Sequence, residues 1–249
     1  MPALIVAGLL SGTARPEAGL RAAIYDDTRE ANPSAWSAGL DGLEKALRQS
    51  GASSVRLTRA ELNTGSLPLE QFDVLLIGGG LAYPGYIQLI TPQGKQRLRD
   101  AVRGGMGLVA VCAGAYFVSD TCVYDGVSYG DEVGYNLDLY PGPARGPVPG
   151  LPVLPAYGLA AVRFEPHAAY GEGCVRHLWY GSGPSFPNPP AGTTVLGRYH
   201  EGSPAVIALD YGDGRVVLWG AHAELGGQGT EADNAEFFAR VVRWAARRS

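Results

Sequence analysis

Two apolar runs constrain this chain more than any other feature. Phe72-Asp73-Val74-Leu75-Leu76-Ile77 stops at Gly78-Gly79-Gly80, and Gly107-Leu108-Val109-Ala110-Val111 stops at Cys112-Ala113-Gly114-Ala115. Neither run alternates apolar with polar residues over its core. Each therefore reads as a strand buried on both faces, which belongs inside a parallel sheet with helices on each side. Ligands in such folds bind outside the carboxyl ends of the strands. The two glycine-containing ends are expected to share one crevice.

The segments around these runs keep the alternation. Ala22 to Tyr25 and Ser54 to Leu57 read as strands, and Leu40, Leu43 and Leu47 recur at helical spacing between Asn32-Pro33-Ser34 and Gly51. Thr91-Pro92 opens a helix that carries Leu98 and Val102 and ends at Gly104-Gly105. After the second run the spacing predicts a helix through about Val123. Asn63, Gly65 and Pro68 mark a polar loop. From Tyr124 to Pro155 the chain holds too many Gly and Pro breakers for helix, so loops and short antiparallel strands are expected. Val175 to Tyr180 and Thr194 to Tyr199 read as further strands. Ala205 to Leu209 and Arg215 to Trp219 flank Tyr211-Gly212-Asp213-Gly214 as a hairpin. A last helix is expected from Thr230, whose spacing to Asp233 resembles a capping box, with Phe237, Phe238, Val241, Val242 and Trp244 inward.

The chain of 249 residues suits one α/β domain and can bury a core without metal or disulfide staples. Its 20 Lys+Arg and 24 Asp+Glu contain no basic run beyond Arg247-Arg248, which argues against nucleic acid as a partner. The 36 Gly and 18 Pro exceed an average combined share of about 12% and are spread through turns. Cys112, Cys122 and Cys174 form no Cys-x-x-Cys pair and have no His at zinc spacing, so neither a metal nor another cofactor is expected. Cys112 and Cys122 could pair in an oxidising compartment. Residues 1–20 read as an extension or the remnant of a signal segment, apolar from Pro2 to Leu10 but without a basic start, and residues 21–249 as the domain. Cytoplasmic and exported locations both stay open. No stretch reaches the ~20 apolar residues of a membrane span.

Chemistry concentrates at Cys112. An apolar strand that breaks into small residues is how a nucleophile elbow is written, with the side chain held above the sheet edge. A thiol there faces the N–H groups of the next turn, which favour a thiolate and offer a place for an oxyanion. A buried strand-end cysteine reads the same way. A thiolate nucleophile needs a base, and the base needs an orienting group. Among the four histidines, His222 follows the strand ending at Trp219 and precedes Glu224 by two residues. His177 and His200 lie in or beside strand-like segments and His167 lies in a loop. Gly79 and Gly80 could let backbone N–H groups approach a substrate oxygen without a Cβ in the way.

In combination these motifs resemble the class I glutamine amidotransferase-like superfamily, and more closely the amidotransferase-like domain at the N-terminus of biotin–protein ligases. The likeness is carried by Gly79-Gly80 with Tyr83 and Tyr86, by Cys112-Ala113-Gly114-Ala115-Tyr116, by Leu139-Tyr140-Pro141-Gly142-Pro143-Ala144-Arg145-Gly146-Pro147, by Tyr180-Gly181-Ser182-Gly183-Pro184-Ser185-Phe186, and by His222-Ala223-Glu224. The resemblance implies a flavodoxin-like, doubly wound, mostly parallel sheet with helices on both faces and a Gly/Pro-rich insertion after the elbow helix. It implies Cys112 as nucleophile, His222 as base and Glu224 as orienting acid. Oxyanion donors would come from Gly79, Gly80 and Ala113, and a pocket from Tyr83, Tyr86, Tyr116, Tyr180 and Ser182. The implied reaction hydrolyses or transfers an amide or acyl group of a small-molecule or peptide-like substrate through a thioester. Glutaminases carry Gly-x-Cys-x-Gly-x-Gln, whereas here the residue after Gly114-Ala115 is Tyr116, and Ala223 replaces the Pro of His-Pro-Glu. No ligase catalytic segment follows, so biotin ligation is not expected. The alternatives are a binding or regulatory module on the same fold, or a DJ-1-like redox-sensitive thiol protein with Asp26 or Asp27 as its acid.

Overall fold

A computed structural model describes residues 19–130, 135–225 and 234–247. The signal-like segment and the capping box at Thr230 lie outside these residues. The first half builds β1 (Arg21–Tyr25), α1 (Ser37–Gln49), β2 (Ser53–Leu57), α2 (Arg59–Thr64), β3 (Val74–Ile77), a one-turn α3 (Ile87–Leu89), α4 (Pro92–Arg103), β4 (Gly107–Val111) and α5 (Ala113–Val118). The second half adds β5 (Ser119–Tyr124), β6 (Val127–Tyr129), β7 (Tyr140–Gly146), β8 (Gly158–Phe164), β9 (Cys174–Tyr180), β10 (Thr193–Tyr199), β11 (Pro204–Tyr211), β12 (Gly214–Trp219) and α6 (Asn234–Ala245).

Nine strands form one sheet in the order β2-β1-β3-β4-β12-β11-β10-β8-β9. The five from β2 to β12 are parallel, and the remaining four extend the sheet in antiparallel fashion. This is an α/β fold. All five residues of β4 are buried. Val109 and Val111 face the core under α1 and α6, with Leu43, Trp219 and Phe238, whereas Leu108 and Ala110 face the core under α4, with Leu98 and Val102. An apolar run that feeds two cores at once explains why these strands carry no alternation.

Three local expectations change. The polar stretch before Gly65 forms α2, because Thr58 and Glu61 complete a reciprocal capping box and Gly65 closes the helix at φ 75°. The elbow helix ends at Val118, and the residues expected to extend it form β5, where Thr121 and Val123 pair with β7. The Gly/Pro-rich segment adds β6 and β7 to β5 as a separate three-stranded sheet, β6-β5-β7, whose β5 and β7 are parallel. Strand β8, which the sequence pattern does not mark, lies between β10 and β9.

Candidate active site

Strand β4 delivers Cys112 into a sharp turn. Its backbone sits at φ 52°, ψ −110°, a region where a residue with a Cβ is strained by about 1–3 kcal/mol. The neighbours hold it there: Cys112 N–H donates to Trp219 O at 2.8 Å, and Tyr116 N–H donates to Cys112 O at 3.1 Å. Gly114 lets α5 cross the end of β3, where a Cβ would lie 2.6 Å from Ile77 O.

The adjacent strand β12 ends at Trp219 and the chain turns through Gly220-Ala221 to His222. His222 N–H donates to Trp179 O at 2.7 Å, which ties the turn to β9. The imidazole is 4% exposed and its Nδ1 lies 2.7 Å from Glu224 Oε1. Cys112 lies beside it: the position of a Gly79 Cβ is 3.4 Å from His222 Nε2 and 3.6 Å from Cys112 Cβ. Burial by itself lowers the basicity of His222, but the charges of Glu224 and Cys112 and the hydrogen bond to Glu224 raise its pKa to about 10. Glu224 is fully buried and its Oε2 has no hydrogen-bond partner. A carboxylate in that setting depends on the imidazolium for its charge compensation.

The turn after β3 closes the third side. A Cβ on Gly79 would lie 2.5 Å from His222 Cε1 and 3.6 Å from Cys112 Cβ, so only glycine admits the imidazole. Gly80 has φ 146° and a Cβ there would collide with Ser34 O. Leu81 N–H is taken by Ser34 O and Gly114 N–H by Gly78 O, while the N–H groups of Gly80 and Ala113 make no backbone hydrogen bond among the described turns and loops.

The cleft over Cys112 has a volume of about 240 Å³. Gly80, Leu81, Ala82 and Tyr83 line one side, Cys112, Ala113 and Tyr116 the floor, Cys122, Tyr124 and Tyr129 the small sheet's side, and Leu154, Gly181 and Ser182 the last. Tyr83, Tyr116 and Ser182 of the expected pocket are thus at the cleft. Tyr86 and Tyr180 are not. Tyr86 is fully buried with its hydroxyl donating to Gly78 O and Gly79 O at 3.2 Å, so it braces the glycine turn from behind. Tyr180 is fully buried, accepting from Val148 N–H and donating to Gly183 O. The resemblance implies a pocket role for both, but each phenol is used to hold backbone.

Several residues at the site are not among the pocket residues that the resemblance implies. Cys122, Tyr124 and Tyr129 arrive on β5 and β6, where the sequence pattern predicts helix and loop. Trp36 reaches the site from the start of α1 and packs edge-on against His222 with ring centroids 5.6 Å apart, while Tyr157 stacks on Trp36. Burial pushes the Cys122 thiol up to about 12. His177 and His200 are exposed, and His167 packs against Tyr170 and Trp244. Asp27 accepts from Ser34 and Ala35 N–H and from Tyr25, and Asp26 from Thr28. These acids at the end of β1 have their own partners. The three cysteines are free thiols. Among the described residues no group of His, Cys, Asp and Glu could hold a metal ion, and no helix is long and apolar enough to cross a membrane.

The family model for the N-terminal region of biotin-protein ligase matches residues 68–243, a span that contains the glycine turn, Cys112, His222 and Glu224. No curated protein sequence matches. Among solved structures, a glutamine amidotransferase superposes with a TM-score of 0.63 at 18% identity over 92% of this chain and 100% of its own. A putative GMP synthase protein from Thermoplasma acidophilum gives 0.56 at 13% identity over 90% and 93% of the two chains. A glutamine amidotransferase from Thermotoga maritima gives 0.51 at 15% identity, covering 84% of this chain and 78% of its own. Identities this low establish a common fold. With the family match extending over most of the sequence, the chain belongs to the biotin-protein ligase N-terminal family and has a glutamine amidotransferase-like fold.

Proposed function

We propose that Cys112, His222 and Glu224 act as a catalytic triad that hydrolyses or transfers an acyl group through a thioester on Cys112. The observation that carries this reading is the buried His222, bonded to Glu224 through Nδ1 and set beside Cys112 at the Gly79 turn, at the carboxyl ends of β4 and β12. The raised basicity of His222 favours an imidazolium beside a thiolate.

In the first half-reaction Sγ bonds to the carbonyl carbon and the π electron pair moves onto oxygen. That oxygen is positioned for the N–H groups of Ala113 and the Gly79-Gly80 turn, where one donor is typically worth 10²–10³ in rate. Collapse breaks the bond from carbon to the leaving nitrogen or oxygen, and the imidazolium gives that atom its proton. In the second, a water loses a proton to neutral His222 as its oxygen bonds to the acyl carbon. The C–S bond then breaks, the acid leaves, and thiolate and imidazolium are restored. Another nucleophile in place of water makes the reaction a transfer.

The test is selective labelling. Cys112 is expected to react with iodoacetamide near neutral pH much faster than Cys122, whose buried thiol stays protonated, and faster than the half-buried Cys174. Equal, slow labelling of all three would reject the triad and leave a binding module on this fold.

A further inference from the structure

The cleft over Cys112 is lined mostly by tyrosine rings, aliphatic side chains and small residues. Apart from Cys112 itself, its described lining residues include no Asp, Glu, Lys, Arg or His: they are Tyr83, Tyr116, Tyr124 and Tyr129, the aliphatic Leu81 and Leu154, and small groups. The polar atoms are largely committed. Tyr116 hydroxyl donates to Ser182 O at 3.0 Å, Ser182 Oγ accepts from Leu154 N–H at 2.9 Å, and Tyr83 hydroxyl accepts from Gln88. Gly146 sits so close to the Tyr116 hydroxyl that a Cβ there would collide with it, which fixes the ring. Tyr116 and Tyr124 pack edge to face, and Tyr83 stacks on Tyr129 with centroids 4.6 Å apart. An ammonium or carboxylate entering here would lose its water and gain no counter-charge from the described side chains that line the cleft beyond Cys112. The volume of about 240 Å³ lies below the ~300–1,000 Å³ of sites for drug-sized ligands.

Resting on the triad reading, we infer that the acyl group delivered to Cys112 is small, uncharged and apolar or aromatic, and that free glutamine is not the substrate. The acyl portion occupies the tyrosine-lined cleft, with the ring of Tyr116 as its floor. Uncharged acyl groups match this lining by burying apolar area and offering aromatic contact.

The experiment uses one leaving group and several acyl groups on the full chain. p-Nitrophenyl esters of 3-phenylpropanoate, hexanoate and hemisuccinate are assayed for p-nitrophenolate release. In each, Sγ bonds to the acyl carbon, the acyl–oxygen bond breaks, p-nitrophenolate leaves with the electron pair, and water cleaves the thioester. Rates are normalised to the reaction of each ester with N-acetylcysteine. Glutamine is assayed separately for ammonia release, and acylation of Cys112 is read by intact mass, with Cys112→Ala as the blank. The 3-phenylpropanoyl ester is expected to exceed the hemisuccinyl ester by about 30-fold or more in kcat/KM, with no ammonia from glutamine. Leu81→Arg, at a residue 48% exposed, is expected to move that ratio about tenfold toward hemisuccinate by supplying the missing charge. Acylation of Cys112 with equal or better use of hemisuccinate, turnover of glutamine, or an unchanged ratio in Leu81→Arg each overturns the substrate class while leaving the triad intact. Failure of every ester to acylate Cys112 overturns the triad itself and the inference with it.

Discussion

The cleft has two walls of opposite construction. One is the carboxyl-end rim of the parallel strands, where Cys112 lies beside the bonded His222–Glu224 pair and the Gly79-Gly80 turn is packed to within a methyl group of the imidazole. The other is the rim of the β6-β5-β7 sheet, where Tyr124 and Tyr129 meet Tyr116 and Tyr83 through ring contacts. The first wall tolerates almost no displacement, because bonds and close approaches set its geometry. Ring contacts fix the second less sharply. Under the proposed function the first wall should govern the chemical step for any substrate, and the second should govern which substrate is held.

Cys112→Ala removes the nucleophile and should lower kcat by about 10⁴-fold or more while far-ultraviolet circular dichroism stays unchanged. Residual turnover within tenfold of the parent would move the chemistry away from the first wall. Glu224→Gln keeps the shape but takes away the charge that raises His222, so kcat should fall by about 10³-fold and the alkaline limb of the rate profile should move down from near pH 10. A limb that stays in place would separate Glu224 from the base. Gly79→Ala adds a Cβ 2.5 Å from His222 Cε1 and should cost kcat about 100-fold, with stability measured by urea denaturation to show that the loss is local. Tyr124→Ala opens the second wall and should raise KM about tenfold with kcat within threefold, the signature of lost uniform binding. Equal losses in kcat would erase the distinction between the walls.

The smallest effect is on stability. His222 has a folded-state pKa near 10 against an ordinary value of 6.5. Below about 6.5 both folded and unfolded chains hold the proton and the pairing contributes fully. Between there and about 10 only the folded chain holds it, so stability should decline as pH rises and the contribution is gone above that range. Thermal denaturation from pH 6 to 10 should show this slope, and His222→Gln should flatten it.

The first wall is legible in the sequence because each of its parts leaves a local trace. A buried parallel strand must be a continuous apolar run, an elbow must have small residues after it, and a close approach to an imidazole must be a glycine. The second wall leaves none, since nothing in Asp120 to Tyr129 distinguishes a strand that pairs with β7 some 20 residues later from the tail of a helix; the pairing is set by tertiary contact. Tyr86 and Tyr180 show the complementary failure. A tyrosine next to a pocket motif can present its ring to the ligand or spend its hydroxyl on backbone, and both of these do the latter. Trp36 is invisible in the sequence because it belongs to the start of a helix more than 180 residues from His222.

Helix α1 carries glycines at 39 and 42, both turned toward Glu224, and a Cβ at Gly42 would lie 2.8 Å from Glu224 O and 3.0 Å from its Cγ. Glycine in a helix interior costs about 1 kcal/mol relative to alanine, so routine thermostabilising engineering would choose these two positions first. At Gly42 that choice pushes on Glu224 through its backbone and side chain together. A library screened for heat resistance alone would therefore enrich sturdy helices and discard the acid's seat, and selection for melting temperature in this protein needs an activity screen beside it.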